Sequence, residues 1–342
     1  MSSSPDEQAV AGQDRLLVSI SPHLRAPEGI SGIMWNVVAA LVPAVAVSIY
    51  FFGLDAVRVY VISIAAAEAT ELVCLRLRGR PLAHAADGSA FVTGLLLAMV
   101  IPASVASYVP AVGAVFAVAI AKHAFGGLGN NIWNPALASR VFLQFAYAQQ
   151  ISLSAWPVPR ALWGRAADAV TQASPLADAT VRGAYGYLDL LFGNGVPGCI
   201  GETSKIVLLV GGLYLIARNI VDWRIPVAYI GTVFLLTWVL PVPEGAPGWA
   251  GDPLYHVLSG GLMIGALFMA TDMVTTPVTP RGRAVFGIGC GVVVALVRRY
   301  GGYPEGVAYS IVLMNTCTPL IDRWLRPRIY GSRTAKPATR AA

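Results

Sequence analysis

The sequence predicts an all-α integral membrane protein of about ten transmembrane segments, arranged as two inverted repeats of five with broken helices. Three observations predict it. Of the 342 residues, 56% are hydrophobic and only 12% are charged, about half the charged share of an ordinary soluble domain. The apolar residues gather into repeated runs separated by charged or glycine- and proline-containing turns. The second half of the chain also echoes the first at a constant offset.

Ile33–Phe52 is a run of twenty residues without a charge, enough to span about 30 Å as a helix. Val57–Leu75 follows, carrying Arg58, Glu68 and Glu71. Then come Ser89–Ile101, Val105–Ala121, Pro135–Ala148, Ile206–Ala217, Ile225–Leu240, Val257–Ala270, Ala284–Val297 and Val307–Ile321. Several of these are much shorter than the first, too short to cross alone unless flanking residues join the helix. The chain accordingly divides into an N-terminal arm (1–30), a first repeat (31–148), a long loop (149–204), a second repeat (205–325) and a basic tail (326–342).

Charge sets the orientation. With the N-terminus in the cytoplasm, the inner loops and the tail hold 16 Lys and Arg and the outer loops seven. The positive-inside rule therefore favours both termini inside and the long loop outside. The formal charge of +6 is explained by orientation and gives no reason to invoke nucleic acid.

The internal echo is local as well as global. Lys122-His123-Ala124-Phe125-Gly126-Gly127 precedes one short segment, and Arg298-Arg299-Tyr300-Gly301-Gly302 precedes another at the same offset. Five segments per half is odd, so a duplicated half is inverted in the membrane, with broken helices and polar residues near the midplane. Pro102, Asn134-Pro135 and the stretch from Asp272 to Pro280 mark the expected breaks.

Several chemistries are disfavoured. The cysteines Cys74, Cys199, Cys290 and Cys317 form no CxxC pair, so the chain does not supply an iron–sulfur cluster at recognisable spacing. The four histidines make no zinc pattern. No nicotinamide motif is present.

The long loop carries Asp168-Ala169-Val170-Thr171-Gln172-Ala173-Ser174-Pro175-Leu176. Ser174 precedes a proline, which favours extended backbone, and Ala173 leaves its hydroxyl uncrowded. Read from composition, this is an ordinary loop serine. The stretch resembles, however, the flavinylation motif Asp-x-x-Ser-Gly-Ala-Thr found in the D component of Rnf complexes and the B component of sodium-pumping NADH:quinone reductases. Asp168, Thr171 and Ala173 match the acid, the Ser and the Ala. Ser174 takes the place of the modified threonine and offers the same nucleophilic oxygen, while Gln172 stands where glycine is usual. Ser21-Pro22-His23, the run Phe125-Gly-Gly-Leu-Gly-Asn-Asn131-Ile-Trp-Asn134-Pro135-Ala136 and the run Met269-Ala270-Thr271-Asp272 to Arg283 extend the resemblance over nearly the whole chain. Length and the short arm are more similar to the Rnf component.

The resemblance implies a membrane flavoprotein of a redox-driven pump that exchanges electrons between ferredoxin and NAD and moves Na+ or H+. It implies FMN attached to Ser174 by a flavin transferase through a phosphoester. It also implies RnfA, RnfB, RnfC, RnfE and RnfG as partners, and activity only within that complex. It extends to a second flavin, riboflavin, with Asn131, Asn134 and Thr271 as polar candidates for its ring or ribityl chain. Those three residues have an alternative reading as caps of broken helices. The B component of the quinone reductase, or another membrane flavin carrier, is the next reading. A channel or transporter with inverted repeats is a further one, and it would need no flavin acceptor.

Glu68, Glu71, Asp272 and Asp322 lie in or beside apolar segments. A carboxylate at such depth is costly and is normally retained for function, which makes these four the candidates for an ion pathway. Glu68 and Glu71 share one helix face. Their alternative reading is a pair near the inner interface neutralised by Arg76 or Arg78.

Overall fold

The computed structural model describes residues 29–153, 156–157, 171–172, 186–240, 251–301 and 305–326. The N-terminal arm with Ser21-Pro22-His23, the basic tail from 327, and Asp168, Ala173 and Ser174 lie outside the described residues.

The first half opens with α1 (Ile30–Phe52), which turns at Gly53 straight into α2 (Leu54–Leu77). Gly53 takes a positive φ of 62°, which only glycine adopts cheaply. The hairpin is stitched by a hydrogen bond between the Ser48 and Tyr60 hydroxyls at 2.9 Å. A short 3₁₀ stretch (Leu82–Asp87) leads through Gly88 into α3 (Ser89–Met99), in which every residue but Phe91 is buried. A helix buried on all sides belongs to the centre of a fold, and eleven residues extend only about 16 Å, half a bilayer. Its trailing carbonyl region is held by Arg58, which donates to the carbonyls of Ala103 (3.0 Å) and Val105 (2.9 Å). Next, α4 (Tyr108–Val115) loosens into wide π-type turns over Phe116–His123. α5 (Pro135–Ala146) follows a glycine-rich loop. The segment after it forms a ladder of two residues a side, β1 (Trp156–Pro157) antiparallel to β2 (Thr171–Gln172).

The second half begins with a short α6 (Tyr187–Phe192) and continues as α7 (Lys205–Ala217) and α8 (Arg224–Val239). The run Val257–Ala270, expected as one segment, is instead divided. α9 (Pro253–Leu258) stops at Ser259, Gly260 takes φ +66°, and α10 (Leu262–Ile264) runs on in π-type turns through Gly265–Met269. α11 (Pro280–Tyr300) and α12 (Val307–Trp324) complete the fold. The starts of α1 to α5 recur in order, at a near-constant offset, as those of α7, α8, α10, α11 and α12. Lys205 answers Ile30, Arg224 answers Leu54, Leu262 answers Ser89, Pro280 answers Tyr108 and Val307 answers Pro135.

The core is continuous across both halves, with α3 and α10 at its centre and α8 packed closely along α11. The outside is apolar too. Leu54, Leu77, Val61, Leu213, Trp238 and Leu313 are all exposed, while Glu71, Lys122, Arg140 and Lys205 are buried. Water reverses that arrangement; a lipid or protein surround permits it. Among the described residues, α1 and α11 are the helices long and apolar enough by themselves to cross a bilayer. The turn before α8 is closed by Asp222, which accepts from the Arg224 amide (2.9 Å) and from the guanidinium of Arg283 on α11 (2.8 Å). Burial acts to raise the Asp222 carboxyl, but these bonds and the nearby Arg224 guanidinium outweigh it and hold its pKa below the usual carboxylate range. All four cysteines are free.

Candidate functional site

The broken ends of α3, α5 and α10 converge on one region between the two halves. Asn134 shows why α5 starts where it does. Its Oδ1 accepts from the amides of Ala136 (3.1 Å) and Leu137 (3.4 Å), with Pro135 at the first helical position. Its Nδ2 reaches across to the carbonyl of Met269 at the end of α10, at 3.2 Å. With its side-chain amide turned so that oxygen and nitrogen suit their neighbours, Asn315 of α12 closes the arrangement, accepting from the Asn134 backbone amide at 3.1 Å and donating to the Ile311 carbonyl at 3.3 Å. Thr271 donates to the Leu267 carbonyl at 2.9 Å. Asn134 and Thr271 therefore satisfy backbone groups at the ends of broken helices. Asn131 differs: it is buried, and its Oδ1 has no hydrogen-bond partner.

A cavity of about 90 Å³ lies among Ser89, Lys122, Asn131, Asn134, Thr271 and Asp272. That is room for several waters or part of a polyol chain. A second cavity of about 370 Å³ adjoins it, sharing the walls Ile33, Met34, Leu128, Met273 and Val274.

The carboxylates separate into distinct settings. Glu71 is buried, and its Oε2 lies 2.8 Å from Lys122 Nζ and 2.9 Å from His123 Nε2. Lys122 also donates to Ser89 Oγ at 2.7 Å, and Ser89 in turn donates to Asp87 at 2.6 Å. Arg76 and Arg78, the neighbours expected to neutralise Glu71, are exposed on the same helix end and form no ion pair with it. The partner comes instead from the π-type turns of α4, which carry Lys122 and His123 side by side onto α2. Glu68 is half-buried and faces the amide of Phe91 at the start of α3. Asp272 turns the chain after α10, accepting from the Val274 amide (3.4 Å) and from Thr275 Oγ1 (3.2 Å), while its own carbonyl accepts from Thr276 Oγ1 (2.8 Å). Asp322 on α12 accepts from the Val278 amide at 3.1 Å and so anchors the same irregular stretch. Of the loop motif, Thr171 is seen in β2, its backbone opposite Pro157.

A second charged cluster has no counterpart in the sequence expectations. Arg140 on α5 lies 3.5 Å from Glu305, just before α12, and 3.8 Å from Cys199 Sγ. Buried Glu202 and Lys205 at the start of α7 are beside them. Arg298, near the end of α11, donates to the carbonyls of Ser259 (3.1 Å) and His256 across the break between α9 and α10. Potential ligand atoms of Cys199, Glu202 and Glu305 come within 4.8 Å of one another, but Arg140, Lys205 and Arg298 already supply positive charge there. The available signal for this cluster is an arginine alone in an apolar run and the Glu202-Thr-Ser-Lys205 step before another.

Residues 17–331 match the family described as NQR2, RnfD, RnfE. The chain belongs to this family. It is 45% identical over 330 residues to the D subunit of the Na(+)-translocating ferredoxin:NAD(+) oxidoreductase complex of Acetobacterium woodii, covering 95% of this chain and 98% of that protein. Against the D subunit of the proton-translocating ferredoxin:NAD(+) oxidoreductase complex of Clostridium ljungdahlii, identity is 44% over 330 residues, 92% of this chain and 96% of the relative. The D subunit of the ion-translocating oxidoreductase complex of Stutzerimonas stutzeri is 38% identical over 326 residues, with 87% and 91% covered. The NQR2, RnfD, RnfE match takes in every helix from α1 to α12 and the loop that carries Ser174.

The buried ion pair gives a stability prediction. Lys122→Met strands the Glu71 carboxylate and should destabilise the protein by about 3–5 kcal/mol, whereas removing both charges with Glu71→Gln in addition should recover most of the loss. Thermal unfolding in detergent compares the two. A single variant as stable as wild type would mean that the pair is not held as the geometry has it.

Proposed function

We propose that the chain serves as the flavin-bearing D-type membrane component of a redox-driven pump that exchanges electrons between ferredoxin and NAD and translocates Na+ or H+. The observation that carries this reading is identity of 44% and 45% to two proteins named as components of such pumps, along almost the entire length. The loop motif Asp168–Ser174 adds to it. A passive channel would have no use for that motif.

In this reading ten helical segments cross the inner membrane as two inverted repeats of five, with both termini cytoplasmic and residues 149–204 periplasmic. The recurring order of helix starts at a near-constant offset supports the duplication. The exposed apolar exterior supports the lipid setting. Ser174 carries FMN through its hydroxyl oxygen as a phosphoester installed by a flavin transferase, with Asp168, Thr171 and Ala173 forming the recognition sequence. Bound FMN supplies an acceptor and donor of electrons at the outer face. RnfA, RnfB, RnfC, RnfE and RnfG supply the remaining redox centres, since this chain has no cluster or nicotinamide motif.

A second, non-covalent flavin fits the region between the halves in one respect. The unpartnered Asn131 Oδ1 is an acceptor for a ribityl hydroxyl, and Asn134 and Thr271 hold the broken helices that shape the wall. The cavity of about 90 Å³ suits the chain end, and the adjoining spaces of about 370 Å³ and about 540 Å³ come nearer to what a ring requires. Glu68, Glu71, Asp272 and Asp322 are the carboxylates assigned to the ion path. Asp272 is the foremost, because it faces the cavity from an irregular turn. The energy scale permits coupling: two electrons falling through about 100 mV release roughly 4.6 kcal/mol, and one cation moved against about 150 mV requires roughly 3.5 kcal/mol.

Two measurements test this. The denatured wild-type chain should fluoresce as a flavoprotein; Ser174→Ala should abolish the label and Ser174→Thr should keep it, read by mass spectrometry of the loop peptide. Full flavin on Ser174→Ala would remove the attachment site. Separately, Asp272→Asn retains the turn-closing oxygen while removing the charge. It should leave assembly and flavin content normal and lower cation uptake at matched electron flux in proteoliposomes. Unchanged uptake would remove Asp272 from the ion path.

A further inference from the structure

We propose that Arg78, Arg80 and His123 form a binding niche for a phosphate-class anion where α2 ends against the glycine loop after α4. The niche centres on Gly127. A side chain there would place its Cβ 3.6 Å from an Arg78 Nη, 3.7 Å from His123 Nδ1 and 3.8 Å from an Arg80 Nη. Three nitrogens of cationic or cationisable groups thus lie within 3.8 Å of one point beside the Gly127 backbone, where glycine places no side chain. Gly127 has φ +95°, and its amide donates to the Lys122 carbonyl. On the facing element, Gly79 has φ +62° and lets the chain fold back, the Arg80 amide donating to the Leu75 carbonyl. These two left-handed glycines allow the helix ends to meet with both arginines on one side of the loop.

Among the described residues, no carboxylate pairs directly with the two arginines. Arg78 and Arg80 are exposed, and neither forms an ion pair with a described residue. His123 is only 6% exposed. Its Nε2 lies 2.9 Å from Glu71, but off the direction that a hydrogen bond requires, and its Nδ1 has no hydrogen-bond partner. A buried polar atom without a partner is uncommon and costly. Two guanidiniums brought beside it add mutual repulsion, which an anion between them reverses. Guanidinium pairs suit phosphate oxygens because their donors form a planar fork. Carboxylates do stand near: Glu71 lies 2.9 Å from His123 Nε2, and Asp87 lines the same cavity and already accepts from Ser89.

What lies next to the niche narrows the class of ligand. The cavity of about 370 Å³ lies beside it, lined by apolar Ile30, Met34 and Leu75 together with Arg80, His84 and His123 and the carboxylates Glu71 and Asp87. An apolar space with basic groups in its lining matches a phosphate carried on an acyl chain, the headgroup of an anionic lipid. Free phosphate would satisfy the same nitrogens without filling the apolar part.

The test uses the full chain in two arms. In one, the detergent-solubilised protein is titrated with inorganic phosphate against chloride at matched ionic strength, and thermal stabilisation is read. In the other, the protein is reconstituted into nanodiscs containing phosphatidylglycerol and phosphatidylcholine, and the lipid it retains is read by native mass spectrometry. Saturable stabilisation by phosphate, weakened about tenfold by Arg78→Gln or Arg80→Gln, supports a soluble ligand. Selective retention of one phosphatidylglycerol, lost in the same variants, supports the lipid. Both arginines are exposed and unpaired within the described residues, so the variants should fold, and circular dichroism checks this. Wild-type protein that prefers neither probe overturns the proposal whatever the variants do. So does binding that both substitutions leave unchanged.

Discussion

Every buried charge and every broken helix in this molecule must be satisfied from within, because apolar surroundings offer no water to do it. The pair of Glu71 with Lys122 is the clearest case. Either charge alone at this depth would be costly to bury. Together, with Ser89 and Asp87 continuing the chain of contacts, they fix α2, α4 and the entrance of α3 in one arrangement. The π-type turns at the end of α4 follow from the same demand, since they set Lys122 and His123 side by side against α2. Wide turns of this kind recur at functional positions in helices.

The second half meets the constraint with different residues at the corresponding place. Arg298, near the end of α11, ties down the break between α9 and α10 through two backbone carbonyls, as Lys122 ties the entrance of α3 through Ser89. Arg140, Glu202, Lys205 and Glu305 join α5, α7 and the approach to α12. The two halves are thus locked by charge at two separate places, and the broken ends of α3, α5 and α10 are held between them. A scaffold of this kind keeps polar groups such as Asn131 and Asp272 at depth without collapse, which a protein handling electrons and ions requires. The same scaffold leaves Arg78, Arg80 and His123 around an open position beside Gly127, where nothing among the described residues answers the charge of the two arginines.

Much of this is legible in the sequence, because the governing signals are strong in one dimension. Most apolar runs form helices close to their expected limits, since run length and flanking glycine, proline and charge define segment ends directly. Asn134-Pro135 announces both a cap and a helix start, and both occur. The long motifs suffice to suggest the family to which the chain belongs. What the sequence does not reveal is pairing. Glu71 sits within a turn or two of Arg76 and Arg78, so local reasoning favours them, yet its partner lies 51 residues away. Arg140 and Glu305 are 165 residues apart, and no periodicity brings them together. The division between α9 and α10 is hidden because Ser259-Gly260-Gly261 interrupts a run whose hydropathy continues on both sides. For Asn131, Asn134 and Thr271 the sequence offers ligand and cap readings equally. Only the hydrogen bonds separate Asn131, with an open acceptor, from the other two.

In the proposed reading, an inverted duplication set across the membrane with both termini inside would turn the loop bearing Ser174 outward, and the proposed flavin site depends on that orientation. Cysteine accessibility addresses it directly. In a chain with its four native cysteines replaced, Ala177→Cys should react with a membrane-impermeant maleimide in intact spheroplasts, and a cysteine placed in the C-terminal tail should react only after lysis. Labelling of Ala177→Cys that appears only after lysis would put the loop on the cytoplasmic side and contradict both the orientation and the outward-facing flavin.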